Sequence, residues 1–407
     1  MKALDDITVL ANEQYEAGTT ATEPMAFLGA TVILTERPGT GQIGRAPRPP
    51  INIAGIDPFY HIYLTMNKKS LTLNLKHPKG VEIFKEIAKK VDIVHDNYGP
   101  GVMDRLGVGY EALKKVNPRL IVSSVKGFGE GPYEKYMCMD GVAQATGTTY
   151  GQTGFPDKSP VPPGVSLGDT GTGLFSLGAI LAALHQREVT GEGQFVEVAM
   201  METNMSYNRA NFALKQAERD PLFKGAPIPR AGSTLPGVAP HDIYKTMDTS
   251  NNENYLMIVA REQKQWDALL RVIGRTDLIG NPKYKDANTR WQYVDEVNKI
   301  IEDWTSQCSA FEAFHTLCRA GVPVGVTQNS TQMMNDPHYI ERKTVIELDH
   351  PHRGRYKTFG CVQRLSDSEE IVYQTGPLLG QHNQEMLAKY MGYTHHEVAK
   401  LAAEGVI

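Results

Sequence analysis

Asp169 sits in the stretch Gly168-Asp169-Thr170-Gly171-Thr172-Gly173, directly before the apolar run Leu174–Leu184. Glycines let a backbone and a ligand approach closely. The N–H groups at a helix start favour negative charge. A carboxylate in this setting can have a functional role toward a ligand, or it can simply cap the helix. Composition alone leaves both readings open.

Other candidate chemistry is thinner. Gly164-Val165-Ser166-Leu167-Gly168 has the form G-x-S-x-G. A serine-hydrolase elbow needs a strand directly before its serine and a helix directly after it. Here Pro160, Pro162 and Pro163 precede the motif, and Asp169 and Gly171 separate it from the apolar run. The glycine order from Gly168 to Gly173 does not make a dinucleotide fingerprint, and no P-loop is present. The pairs His350/His352 and His395/His396 lack the i, i+4 spacing of a helical zinc motif, so no metal ligands are assigned. Lys126–Tyr133 (KGFGEGPY) is a tight turn or a place where backbone meets ligand.

These residues need elements to hold them. Ile7–Leu10 and Thr31–Thr35 read as strands, with a short helix Glu23–Leu28 between them. Lys68–Lys76 alternates as a strand, Val81–Lys90 is an amphipathic helix, and Val91–His95 and Leu120–Val125 are further strands. Leu174–Leu184 reads as a buried helix and Phe195–Val198 as the strand after it. Strands alternating with helices at short spacing give an α/β fold with a mainly parallel sheet. Ligands bind beyond the strand C-ends of such sheets. Arg37, Asn97 and Lys126 all follow strands, where an anionic ligand would sit. After Met205 the texture changes. Lys215–Pro240 is turn-rich, and 225–325 carries a strand and three helices of its own. The expected division is 1–205 as the first part of a large domain, 206–224 as linker, 225–325 as a small domain, and 326–407 returning to the large one.

Composition narrows the class. The chain has 407 residues and a formal net charge of −4. With no basic tract, nucleic acid is not an expected partner. Four cysteines without C-x-x-C spacing suit a reduced, cytoplasmic enzyme. The first fifteen residues carry Asp5 and Asp6 and no signal-type apolar core. Leu174–Leu184 is shorter than the about 20 residues that cross a bilayer, so no membrane association is expected.

A set of short motifs, in order, resembles the family III CoA-transferases, and within them those that are formyl-CoA transferase-like. The set includes Phe27-Leu28-Gly29-Ala30, Asn67–Leu73, Asn97-Tyr98-Gly99-Pro100-Gly101 through Arg105, Lys126-Gly127-Phe128, Leu167-Gly168-Asp169, Thr190–Gln194 and Pro377–Gly380. The resemblance implies a large Rossmann-like parallel-sheet domain built from both chain ends and a small α+β middle domain. It further implies ring-shaped subunits interlocked as a homodimer. The reaction implied is transfer of CoA from an acyl-CoA to a small carboxylic acid, with the CoA thioester as co-substrate and no permanently bound cofactor. Asp169 would be the nucleophile, with Asp140 an acidic residue near it. Glu16, Ala17, Arg37, Leu73, Asn74, Leu75, Lys76, Asn97, Tyr98, Gly99, Arg105 and Lys126 would meet CoA. Three departures bear on the substrate: Ala17-Gly18-Thr19 replaces an Ala-Gly-Pro, Pro47 replaces a tryptophan, and Gly225–Pro240 stands where relatives carry a glycine run. Two other activities compete with this reading. The same fold hosts 2-methylacyl-CoA racemases, whose Gly-His-Asp signature would fall near Met139-Asp140, where no histidine lies. The other is a hydrolase using Ser166.

Overall fold

The computed structural model describes residues 1–46, 53, 55–220, 230–249 and 254–407. Pro47 and part of the Gly225–Pro240 stretch lie outside them. The chain forms two compact units, one of Met1–Tyr150, Pro162–Ala213 and Lys343–Ile407, the other of Gly151–Val161 and Leu214–Arg342.

Six strands build the sheet of the first unit: β1 (Thr8–Asn12), β2 (Thr31–Glu36), β3 (Lys69–Thr72), β4 (Ile93–Asp96), β5 (Ile121–Lys126) and β6 (Phe195–Ala199). All neighbours are parallel, in the order β3-β2-β1-β4-β5-β6. This is the doubly wound order of dinucleotide-binding sheets, with its switch point between β1 and β4. Val9 pairs with Val32 on one side and Ile93 on the other. Side chains alternate across the sheet. Leu10, Ile33, Val94 and Val122 face a core with Phe84, Ile87, Leu387 and Tyr390. Val9, Ala11, Val32 and Ile93 face a second core with Met25, Leu177, Ile180 and Leu184.

Two helices depart from the sequence reading. The first spans Tyr15–Phe27, not Glu23–Leu28. Gly18, Thr19, Thr20, Thr22 and Pro24 all lower helix propensity, but every residue from Ala17 to Phe27 is buried, and packing overrides propensity. The second spans Leu167–Thr190, so Asp169 lies inside its first turn rather than ahead of it. Its glycines serve close packing: a Cβ on Gly173 would come within 2.8 Å of the Ala17 carbonyl oxygen. By length and hydropathy this 24-residue helix could cross a membrane. It is instead a core helix, with Gly168, Thr172, Gly173, Ser176, Leu177, Ile180, Ala183, Leu184 and Arg187 buried along one side. Strand β3 also ends early, at Thr72, leaving Leu73–Lys76 beyond it.

A buried ionic cluster anchors the first helix. Lys68 Nζ lies 2.5 Å from Glu13 Oε1 and donates to Thr22 Oγ1 at 2.8 Å. Thr22 in turn donates to Glu13 Oε2 at 2.7 Å. Arg45 does similar work for the loop after β2. It binds both Glu36 oxygens, at 2.7 and 2.8 Å, and Asp57 at 2.6 Å. Gly41, at φ +70°, lets the loop close, because a Cβ there would meet Arg45 Cδ at 2.4 Å.

The second unit has a three-stranded antiparallel sheet, β7 (His241–Lys245), β8 (Tyr255–Val259) and β9 (Val324–Val326). Helices Gln263–Val272, Val294–Thr305 and Ala310–Arg319 place Trp266, Leu269, Val297, Ile301, Ala313 and Leu317 at helical spacing in its core. Helix Arg209–Glu218 runs into the stretch read as a linker, and β7 falls where no strand was expected.

Candidate active site

The start of the long helix is capped from outside. Ser166 occupies the N-cap position but makes no side-chain cap bond. Asp140, at the start of helix Asp140–Thr146, supplies the acceptor: its Oδ1 receives Gly168 N at 2.9 Å and Asp169 N at 3.1 Å. Its Oδ2 receives Gln144 Nε2 at 2.7 Å. Gly168 makes room, since a Cβ there would lie 2.8 Å from Asp140 Oδ1. Asp169 is therefore not needed as a cap. No described residue donates a hydrogen bond to its carboxylate, which is partly buried and lines a cavity.

Three carboxylates converge here from three elements. Glu16, in the first turn of the first helix, accepts from Thr170 Oγ1 and from Tyr60 Oη, the latter at 2.6 Å. Burial pushes the Asp169 carboxyl up to about 7, and Asp140 and Glu16 add to the rise. Burial, together with Asp169 and Asp140, also raises the Cys138 thiol. Tyr207 packs against another side of the same helix: a Cβ on Gly171 would meet its phenol oxygen at 1.5 Å. No group of three or more His, Cys, Asp or Glu among the described residues is arranged to hold a metal ion.

The cavity has a volume of about 860 Å³ and opens beyond the C-ends of β4 and β5. Ala17, Arg37, Asn97, Tyr98, Gly99 and Lys126 line it together with Asp140 and Asp169. Asn97 bridges the switch point, its Oδ1 accepting from Gln14 N and its Nδ2 donating to Gln14 O, both at 2.7 Å. Lys126 Nζ lies 3.4 Å from Asp96 Oδ1 and donates to the Tyr98 carbonyl at 3.0 Å. Arg37 is exposed and has no carboxylate partner among the described residues. Arg105 lies outside the cavity wall, donating to the Pro100 carbonyl at 3.2 Å. Leu73 is buried in the core, Asn74 Nδ2 donates to Gly405 O at 3.2 Å, and Leu75 and Lys76 also lie outside the wall.

Sequence reasoning passed over Gln14, Tyr60, Ser124, Cys138 and Tyr207. Gln14 had a usable signal, since it is a polar residue just past a strand end, and Ser124 is a polar residue within strand β5, near its C-terminal end. Ser124 lines the cavity with a buried hydroxyl that has no hydrogen-bond partner among the described residues. Tyr60 and Tyr207 lie on helices far from Asp169 in sequence, and nothing in their local pattern marks them. Ser166 also lines the cavity, but no strand precedes it.

Known proteins share this architecture and sequence. A chain described as a CaiB/BaiF family protein from Brucella suis superposes with a TM-score of 0.83 at 27% identity, covering 96% of this chain and 99% of that one. A hypothetical protein from Mycobacterium tuberculosis gives 0.78 at 26%, covering 94% and 99%. Relatives named formyl-CoA:oxalate CoA-transferase are 35% identical in Rhodopseudomonas palustris, covering 100% of this chain and 97% of theirs. The relative of that name in Streptomyces coelicolor is 34% identical, covering 100% and 99%. The sequence model described as CoA-transferase family III matches residues 4–383. A doubly wound sheet, a cavity beyond its strand ends and full-length similarity agree: the chain belongs to the family III CoA-transferases and is a CoA-transferase enzyme.

Proposed function

We propose that Asp169 carries the CoA exchange through covalent intermediates. Its carboxylate attacks the thioester carbonyl of an acyl-CoA, the C–S bond breaks, and a mixed anhydride and CoA thiolate result. The thiolate attacks the aspartyl carbonyl, releasing the donor acid as its carboxylate and leaving an aspartyl-CoA thioester. An acceptor carboxylate attacks that thioester, giving a second anhydride and thiolate. The thiolate then attacks the acceptor's acyl carbon and restores Asp169. Dividing the exchange into these steps is nucleophilic catalysis. The observation that carries this reading is the unengaged carboxylate of Asp169 at a helix start that Asp140 already caps. The test is mass spectrometry of the protein after incubation with acyl-CoA. Acyl or CoA adducts on Asp169 are expected, and adducts on Ser166 alone would replace this mechanism with a hydrolase-like one.

CoA itself would lie along the cavity wall at Asn97–Gly99, with Arg37 and Lys126 meeting phosphates and Arg105 serving a more distant one. Glu16 and Ala17 would bound the thioester end, and Leu73–Lys76 could reach only the far end of so long a ligand. The working form is a homodimer. Support comes from the outer side of the long helix, where Leu174, Phe175 and Leu181 are exposed beside Tyr207, whose ring lies 6.3 Å from Phe175. Sedimentation at falling concentration tests this, and a fully active monomer would refute it. The four thiols are all unpaired, which fits action in the reducing cytoplasm.

A further inference from the structure

We propose that the hydroxyl of Ser124 is a binding group for CoA, holding an amide of the pantetheine arm on its way to Asp169. The inference rests on CoA lying in this cavity, as proposed above, and not on Asp169 as the nucleophile.

The last row of side chains on one face of the sheet is polar from β2 to β6. Thr35 donates to Asn12. Asn12 pairs in register with Asp96, Asp96 with Ser124, and Ser124 with Glu197. Two residues earlier on the same strands stand Ile33, Leu10, Val94, Val122 and Phe195, all apolar. The face therefore changes from core to polar surface in one step, at the strand ends where ligands bind.

Most of the row is engaged within the protein. Thr35 and Asn12 bond each other. Asp96 Oδ1 accepts from Tyr98 N at 3.1 Å and lies 3.4 Å from Lys126 Nζ. Glu197 Oε1 accepts from Glu130 N at 3.2 Å. Ser124 is only 1% exposed, yet its hydroxyl has no partner among the described residues. Asn12 Nδ2 is unpaired too, but Asn12 is not part of the cavity wall, whereas Ser124 is. Leaving a buried hydroxyl unpaired costs free energy. A partner that arrives with the ligand removes that cost.

Charge decides which part of CoA arrives there. Neighbouring strands lie about 4.8 Å apart, so Asp96 and Glu197 flank Ser124 on its own face. A phosphate at Ser124 would meet two acids; Lys126, two residues further out, suits it better. The group at Ser124 is therefore neutral. An amide can meet a hydroxyl in either sense, by donating its N–H or by accepting at its carbonyl. Val108 and Val122, in the same wall, suit the methylenes between the amides. Position agrees with this choice. Val125, the next residue, turns to the opposite face and packs with Ala17 and with Ala143, in the helix that Asp140 begins. Ser124 thus lies toward the thioester end, whereas Arg37 follows β2, three strands away.

The test is titration calorimetry with CoA and with its nucleotide half, 3′-phospho-ADP, which lacks pantetheine. Ser124→Ala should weaken CoA about fivefold, the size of one neutral hydrogen bond, and leave 3′-phospho-ADP unchanged. Its melting temperature should be no lower than that of the wild type, because the lost hydroxyl leaves no partner behind. Ser124→Thr keeps a hydroxyl and should hold CoA more tightly than the alanine variant. If Ser124→Ala does not fold, Ser124→Cys takes its place with the same expectation, since a thiol is a weak hydrogen-bonding group.

Unchanged CoA affinity would overturn the proposal. So would equal weakening of both ligands, which would mean a nucleotide contact or a structural role. Arg37→Ala separates this result from the larger reading, because it should weaken both ligands. CoA binding indifferent to both changes would show that CoA lies outside this cavity. Indifference to Ser124→Ala alone sinks only the role of its hydroxyl.

Discussion

Two charged side chains among the described residues, the buried Arg290 and the partly buried Asp169, have no counter-ion bonded to them and meet opposite surroundings. In the second unit Arg290 is fully buried with no carboxylate bonded to it. Its five N–H groups meet five neutral acceptors: the carbonyls of Ala239, Tyr284, Ala260 and Arg261 and the Gln263 side chain, at 2.7 to 3.0 Å. Its guanidinium also lies 5.1 Å from the Trp266 ring. Burial pushes it down to about 10, which still leaves it charged at neutral pH. In the first unit Asp169 is crowded by two other acids and receives no hydrogen bond from any described residue. Hydrogen-bond saturation separates the two. A buried charge with every bond made ties segments together; one with its lone pairs unengaged is available for chemistry.

Asp169→Asn should separate the two most sharply. Turnover should fall by orders of magnitude, because an amide is a far poorer nucleophile. The same change should raise thermal stability near neutral pH by a few degrees. The sign follows from linkage. A carboxyl whose folded value is raised binds more protons folded than unfolded, so it loses stability as pH rises from its unfolded value toward about 7. Removing the charge recovers that loss. A melting scan against pH checks it, and a variant no more stable at neutral pH would show that Asp169 is not under electrostatic strain.

Arg290→Met should do the reverse. It strips five acceptors of their donor and should cost about 3–5 kcal/mol in urea unfolding, the range for breaking a buried charged network. Chemistry in the protein that remains folded should be largely preserved. A cost below about 1 kcal/mol would mean the carbonyls find other partners.

The pH profile tests the acidic side of the comparison. kcat/KM for acyl-CoA should decline below about pH 7 and reach about a tenth of its plateau one unit lower. Asp140→Asn keeps an acceptor for the Gly168 and Asp169 N–H groups but removes a negative neighbour. The limb should then move to lower pH with the fold intact. A limb that stays put would leave burial and Glu16 as the causes of the raised carboxyl.

The smallest effects belong to the basic residues. Arg37→Ala should raise the Michaelis constant for acyl-CoA several-fold without changing that for the acid, Arg105→Ala less so, and Lys76→Ala hardly at all. Lys76 sits outside the cavity wall and is exposed, and surface changes away from special features stay within about 0.5 kcal/mol. The reverse order would place the nucleotide end of CoA beside β3.

The strands of the sheet were readable because each is a short apolar run with turn residues around it, as in Thr31–Glu36 and Ile121–Lys126. The helices that form the site were not. Tyr15–Phe27 and the first turn of Leu167–Thr190 contain glycine, threonine and proline, whose cost is offset by contacts that no local pattern reveals. Asp169 stood out because its surroundings are unusual along the chain. The part played by Asp140 is a contact across 28 residues of sequence, and only a folded chain shows that it frees Asp169 from capping. Strand His241–Lys245 has one fully buried side chain, Tyr244, too few to set up a visible alternation.

The clamp at Asn97 has a consequence for how such an enzyme can acquire new substrates. Both ends of its amide hold the backbone of Gln14, and a Cβ on Gly18 would strike its carboxamide carbon at 2.9 Å. The cavity floor at the switch point is thus cross-braced, and a substitution there disturbs the braces before it reshapes anything. Tyr136, Met137 and Met139 line the same cavity while mostly exposed, at 60%, 83% and 70%. Mutational drift is cheap at those positions and costly at the floor. Laboratory evolution toward a different acid should therefore gather its changes between residues 136 and 139 and leave the Gln14–Asn97 brace untouched.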